Sequence, residues 1–320
     1  MEQMGGMERV YELGQRLKAN IARVMVGKEA AVELALAALL CRGHILIEDV
    51  PGIGKTTLAR TLAQSLRCTF GRLQCTPDMM PSDILGLYYF NQKTSEFQFR
   101  PGPILVQVLL VDEINRAMPR TQSALLEAMQ EQQITVEGVT MRLPDPFLVV
   151  ATQNPIELEG TFPLPEAQLD RFMLRVRLGY PSAEEESAIL LRFGDTNPPM
   201  RVEPVVEPEE LLEMQRTVAK VVVDESVRRY VIQVAQATRQ HPMVDLGASP
   251  RASLSLYKVA QASAALQGRD YVLPDDVKAV AAPVLAHRLL LGAQGRLRGG
   301  TGEQVVAEVL MGVPVPIYET

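Results

Sequence analysis

Tryptophan is absent from this chain of 320 residues, aromatic residues reach only 5%, and cysteine and histidine occur three times each. Cys41, Cys68 and Cys75 are odd in number and lack metal-ligand spacing, while His44, His241 and His287 stand far apart. This scarcity argues against a disulfide scaffold, a zinc centre and a Cys/His catalytic pair, and it fits reduced, buried thiols in a cytosolic protein. Basic clusters are missing too. The net charge is −6 and the pI is near 5.3, which argues against an obligate nucleic-acid binder. The stretch from His287 to Arg298 holds three arginines among leucines and glycines and reads as a solvated helix end. No apolar run is long enough to span a bilayer: Ile104 to Val111 is short, and Ala30 to Cys41 carries Glu33. The opening Met-Glu-Gln-Met-Gly-Gly has neither a basic n-region nor an apolar h-region, so no signal peptide is expected and the cytoplasm is the expected compartment. What remains, 47% hydrophobic and 22% charged, is the composition of a soluble globular protein with room for one large or two medium domains.

The most informative segment is Asp49-Val50-Pro51-Gly52-Ile53-Gly54-Lys55-Thr56-Thr57. It follows the apolar run Ile45-Leu46-Ile47 and opens a helical pattern from Lys55 to Leu66, the setting of a phosphate-cradling loop. Glycines let successive N–H groups close on a polyphosphate, and the helix N-terminus adds positive dipole. Lys55 is expected to neutralise the β- and γ-phosphates of ATP, and the Thr56 hydroxyl to ligate Mg²⁺. Asp49 stands where the general pattern has its first glycine; Asp tolerates left-handed backbone better than most residues, so the loop is still expected to form.

Two further strands complete the pattern. Leu109-Leu110-Val111-Asp112-Glu113 is an apolar strand ending in two carboxylates, with Asp112 expected to hold the metal's water shell and Glu113 to deprotonate the attacking water. A third strand, Phe147 to Thr152, ends in Gln153-Asn154-Pro155. The Asn154 amide is expected beside Glu113, where it can sense the γ-phosphate. Parallel strands deliver all three motifs to one crevice.

Strand-like runs at 45–48, 69–75, 108–113, 147–152 and 173–179 alternate with helical ones, beginning with Met7 to Asn20 and Glu29 to Leu40. This implies an α/β fold with a parallel five-stranded sheet covered on both faces. Thr76 to Pro103 is longer than a plain crossover needs, and its Asn91 to Phe99 excursion reads as an insert within a helix. Gln132 to Leu143 alternates as a β-hairpin turning at Glu137-Gly138. Pro181 to Pro208, with Pro198, Pro199 and Pro204 between, reads as a connector, and helical patterns follow at Glu209 to Val218, Asp224 to Arg239, Pro250 to Leu266 and Pro274 to Ala286. The expected domains are therefore 1–181 for nucleotide, 182–208 as connector and 209–320 as an all-helical lid.

Taken in order, residues 49–57, Val-Asp-Glu-Ile-Asn-Arg-Ala (111–117), Thr-Gln-Ser-Ala-Leu-Leu-Glu-Ala-Met (121–129), Ala-Thr-Gln-Asn-Pro (151–155), Leu-Pro-Glu-Ala-Gln-Leu-Asp-Arg-Phe (164–172) and Gly-Ala-Ser-Pro-Arg (247–251) resemble the MoxR family of AAA+ ATPases. The resemblance runs from about Val26 to about Pro283, and an Asp at the first loop position is usual in that family. It implies that Arg171 is an arginine finger reaching the neighbouring subunit's γ-phosphate, that Arg251 is sensor 2, and that Val26-Gly27 pass along the adenine. It names 76–103 a helix-2 insert and 132–143 a pre-sensor-1 hairpin. It further implies a homo-oligomeric ring, most simply a hexamer, that uses ATP and Mg²⁺ to remodel or mature a protein client, including metal insertion, often with a partner bearing a von Willebrand factor A domain. Two other readings stay open: a helicase-like nucleic-acid motor, which shares the insert and the hairpin, and a nucleotide-gated scaffold with little turnover. Phe97 and Phe99 alternate with polar residues, so they either offer an apolar face to a client or pack on the core.

Overall fold

The computed structural model describes residues 5–155, 160–194 and 202–316. Helices α1 (Gly6–Ala22) and α2 (Glu29–Leu40) precede β1 (Ile45–Glu48), followed by α3 (Lys55–Ser65), β2 (Phe70–Gln74) and α4 (Pro81–Leu85). A hairpin of β3 (Gly86–Asn91) and β4 (Glu96–Pro101) leads to β5 (Val108–Asp112) and α5 (Pro119–Glu131). A second hairpin, β6 (Gln133–Val136) and β7 (Val139–Arg142), precedes β8 (Leu148–Gln153), α6 (Glu166–Leu169) and β9 (Leu174–Val176). After α7 (Ala183–Phe193) come α8 (Pro208–Val218), α9 (Glu225–Gln240), β10 (Val244–Leu246), α10 (Pro250–Leu266), α11 (Pro274–Leu285), β11 (Leu290–Leu291), α12 (Ala293–Leu297) and α13 (Gly302–Gly312).

Among the described residues, five strands form one parallel sheet in the order β2-β5-β8-β1-β9. The central strands are buried along their length because helices cover both faces, which is why they read as apolar runs rather than as alternation. Their period of two still sorts the core. Ile45, Ile47, Leu110 and Val150 pack with α1, α2, α3 and the lid helices, while Leu46, Leu109, Val111, Val149 and Ala151 pack with Leu125, Leu126 and Phe172 on the other face.

Three expectations need correction. The insert does not interrupt a continuous helix: a single five-residue helix, α4, leads into the β3–β4 hairpin, and a turn leads out. Pro101 and Pro103 cannot continue a helix, and a side chain on Gly102 would come within 2.1 Å of the Ile84 carbonyl oxygen, so the chain must turn there. The segment expected as a plain connector carries the helix α7, whose start is fixed by a capping box between Ser182 and Glu185; Pro198 and Pro199 lie outside the described residues. Arg288 does not sit on a solvated helix end. Its side chain is 2% exposed and pairs with Asp170, whereas Arg296 and Arg298 are exposed as expected. Among the described residues the lid is helical but for one antiparallel pair, β10 with β11, and a lone bridge between Val222 and Tyr271. The thiols are free, with Cys75 buried and the other two half-buried, and burial pushes the pKa of each up to about 12.

Candidate active site

Three loops leave the carboxyl ends of β1, β5 and β8 side by side, because those strands are neighbours in register: Leu46 faces Ala151 and Leu109 faces Val149. They enclose a cavity of about 360 Å³ lined by residues 51, 52 and 54–57 of the loop together with Arg72, Gln74, Asp112, Glu113, Thr152 and Asn154. The loop, the two carboxylates and the amide that the sequence singles out therefore share one space.

The loop owes its shape to Gly52 at φ +84° and Gly54 at φ +97°, conformations that an L side chain rarely adopts. Asp49 is not left-handed. Its carboxylate instead accepts N–H bonds from Leu178 at 2.8 Å and Gly179 at 2.7 Å, tying the loop's root to the chain after β9. Lys55 folds back so that its Nζ donates to the Asp49 carbonyl oxygen at 2.7 Å. Burial lowers the Lys55 pKa, against the opposing pull of Asp49, Asp112 and Glu113. Thr56 and Thr57 open α3 with their backbone at the cavity wall. Val50 and Ile53 do not line the cavity; Ile53 packs toward the core.

Asp112 is buried, accepting from Arg72 Nε at 2.7 Å and from the Thr152 hydroxyl at 3.3 Å. Glu113 is left-handed at φ 56°, an uncommon conformation for a non-glycine residue and one that concentrates at functional sites. Its N–H donates to Thr152 Oγ1 at 2.9 Å, and its carboxylate meets Gln74 Nε2 and Arg116 Nε, each at 2.9 Å. Sequence reasoning missed Arg72, Gln74 and Thr152. A signal existed in the period of two: Arg72 and Gln74 share one face of β2, and Gln74 faces Asp112 in register.

The cavity's donor set fits a magnesium nucleotide: left-handed glycines that free N–H groups, an ammonium, a hydroxyl at the start of α3 and a buried carboxylate opposite. Val26 and Gly27 do not line it, although the preceding Met25 lies beside Gly54.

Arg171 and Arg251 lie elsewhere. They line a second cavity of about 220 Å³ with Gly43, His44, Met129, Met173 and Lys258. Gly43-His44 precede β1 and Met173 precedes β9, so this cavity sits at the amino ends of strands whose carboxyl ends face the first one. The four residues of β1 alone put roughly 13 Å between the two. Neither arginine has a hydrogen bond or ion pair to another described side chain.

Comparisons agree with this architecture. Residues 44–174 match the model of the ATPase family associated with various cellular activities, and residues 236–309 match the AAA lid domain. The chain is 50% identical to YeaC of Bacillus subtilis over 99% of both chains. It is 42% identical to the chaperone MoxR1 of Mycobacterium tuberculosis, covering 94% of this chain and 82% of that one. A solved structure from Cytophaga hutchinsonii superposes with a TM-score of 0.90 at 38% identity, covering 97% of this chain and 98% of the other.

Proposed function

The chain belongs to the MoxR family of AAA+ ATPases, and from that premise we propose that it hydrolyses ATP at sites shared between adjacent copies, to remodel a protein client. The observation that carries the reading is the placement of Arg171 and Arg251 at the amino ends of the strands, opposite the loop. A cation placed there cannot meet the phosphate held at its own chain's carboxyl ends; it can meet one held by a second copy.

In this reading the loop N–H groups and Lys55 bind the phosphates, and Thr56 and Asp112 hold the divalent cation, which supplies charge neutralisation when bound. Glu113 takes the proton of the attacking water while Asn154 orients it. Arg171 of the neighbouring copy neutralises the charge that builds on the transferring phosphate, a contribution of about three to five orders of magnitude where such fingers occur. Arg251, in the same cavity as Arg171, acts in trans as well. A closed ring satisfies every such head-to-tail contact, and a hexamer is its simplest form.

Chaperone MoxR1 makes a protein client, rather than a nucleic acid, the first expectation, with client maturation or metal insertion beside a von Willebrand factor A partner as its finer form and the cytoplasm as its place. The two hairpins support it. Tyr89, Phe90 and Phe97 are exposed on the first and Val139 on the second, with basic residues few beside them, Lys93 and Arg100 on the first and Arg142 on the second. Mixed assemblies test the shared site: Arg171→Ala and Lys55→Ala chains, each reduced alone to a small residual turnover, are expected to regain turnover when co-assembled. No activity in a verified mixture sinks the trans reading, and salt-sensitive DNA stimulation of the wild type promotes the nucleic-acid motor instead.

A further inference from the structure

Arg171 follows a helix too short to hold itself: α6 has four residues, none of them buried. Its flanking residues are nonetheless fixed: the Phe172 side chain is buried in the core against the sheet, and the side-chain hydrogen bonds that hold Asp170 and the Phe172 carbonyl come from the lid. Ser249 Oγ donates to Asp170 Oδ2 at 2.9 Å, and Arg288 Nε donates to Asp170 Oδ1 at 2.8 Å. On the other side of Arg171, the Phe172 carbonyl oxygen accepts from Arg288 Nη2 at 2.6 Å and faces His287 Nε2 at 3.2 Å. Arg288 also donates to the Met173 and Val284 carbonyl oxygens and to Ser255 Oγ, so its planar fork ties this turn to the lid helices α10 and α11. Although burial lowers its pKa to about 10, Arg288 stays charged at neutral pH, opposed by the carboxylate of Asp170. Ser249 is in addition the cap of α10, accepting from the Ala252 N–H at 3.2 Å, and Arg251 stands two residues further on.

We propose that Ser249 and Arg288 are positioning residues that clamp Asp170 and Phe172, so that the lid sets the aim of the Arg171 guanidinium at the neighbouring copy's nucleotide. The clamp leaves Arg171 itself unengaged among the described residues while fixing the backbone on both sides of it. Any rotation of α10 moves Ser249, and with it Asp170. One subunit's lid thereby becomes an input to its neighbour's hydrolysis. This rests on the trans reading of Arg171.

The test uses Ser249→Ala and Arg288→Lys chains. Both are expected to bind ATP at their own loop with unchanged affinity. Steady-state turnover of the homomers is expected to fall about tenfold for Ser249→Ala and about a hundredfold for Arg288→Lys, the scale of a misplaced reacting group. Mixing either with Lys55→Ala chains, whose clamp is intact, is expected to restore turnover. In an Arg171→Ala background Ser249→Ala should cost nothing further, since the residue it positions is gone. Undiminished turnover in either single variant overturns the proposal. So does a loss that mixing fails to restore when Arg171→Ala is restored by the same partner, or an additive loss in the double variant. If Arg171→Ala is itself not restored, the trans reading fails and the double variant alone decides the clamp. Should Arg288→Lys not fold, the Ser249→Ala measurements decide by themselves.

Discussion

Glu113, the base of the proposed reaction, has a left-handed backbone, pinned by Thr152, and its carboxylate lies at the cavity between Gln74 and Arg116. Glu113→Gln is expected to keep ATP affinity and lower turnover by about two orders of magnitude or more, since an amide retains the shape but takes no proton. Lys55→Ala should lose affinity instead, and equilibrium binding beside steady-state turnover separates the two. Near-normal turnover in Glu113→Gln removes it from the mechanism. Asp49 carries a different prediction. With its carboxylate removed, the Leu178 and Gly179 N–H groups lose their acceptor, so Asp49→Ala is expected to lower stability by about 1–3 kcal/mol in denaturant titration. The motifs could be read from residue order because each is local, but the roles of Asp49 and Arg288 could not. Both act on partners more than a hundred residues away, and a local pattern holds no trace of that pairing.

Among the elements, the sheet strands and the long helices were legible because burial on two faces writes apolar runs and amphipathic turns directly into the chain. The insert was less so: β3 and β4 form a ribbon whose pairing sets Phe90 against Phe97 and Tyr88 against Phe99, and only register reveals which end is wet. The two phenylalanines that looked equivalent part company. Phe97, near the tip, is 71% exposed, whereas Phe99, near the base, packs on the core. Phe99→Ala is therefore expected to lower stability by about 2 kcal/mol, while Phe97→Ala should leave the melting temperature unchanged. Equal shifts in the two would refute the division. For the second hairpin, replacing Glu137-Gly138-Val139 by Gly-Ser-Gly is expected to leave basal turnover within a few-fold and to uncouple it from stimulation by a client, measured on one preparation.

At the scale of the whole molecule, the sheet is tied to α5 through His44, which immediately precedes β1, accepts the Val149 N–H of β8 at Nδ1 and donates from Nε2 to the Met129 carbonyl oxygen of α5, both at 3.0 Å. Burial depresses its pKa from 6.5 to about 4. Above pH 6.5 both folded and unfolded chains hold it neutral; below that the unfolded chain gains the proton first, so stability falls as the pH drops toward about 4, by about 3 kcal/mol in all. His44→Gln, which can accept and donate at the same positions, is expected to show a shallower loss over that window in denaturant titrations; an identical slope would remove His44 as the cause. The end of the sheet that Arg171 occupies was legible, since a residue just before a parallel strand lies at its amino end, but the arrival of Arg251 in the same cavity was not, because it comes from a lid helix eighty residues further along the chain. In the shared site proposed above, that placement makes impairment contagious. A chain with both Lys55→Ala and Arg171→Ala silences its own site and the one beside it, so doping it into wild-type protein at equal amounts should leave about a quarter of the activity, against about half for Lys55→Ala alone. Expressed beside the wild type in a cell, such an allele is expected to be dominant.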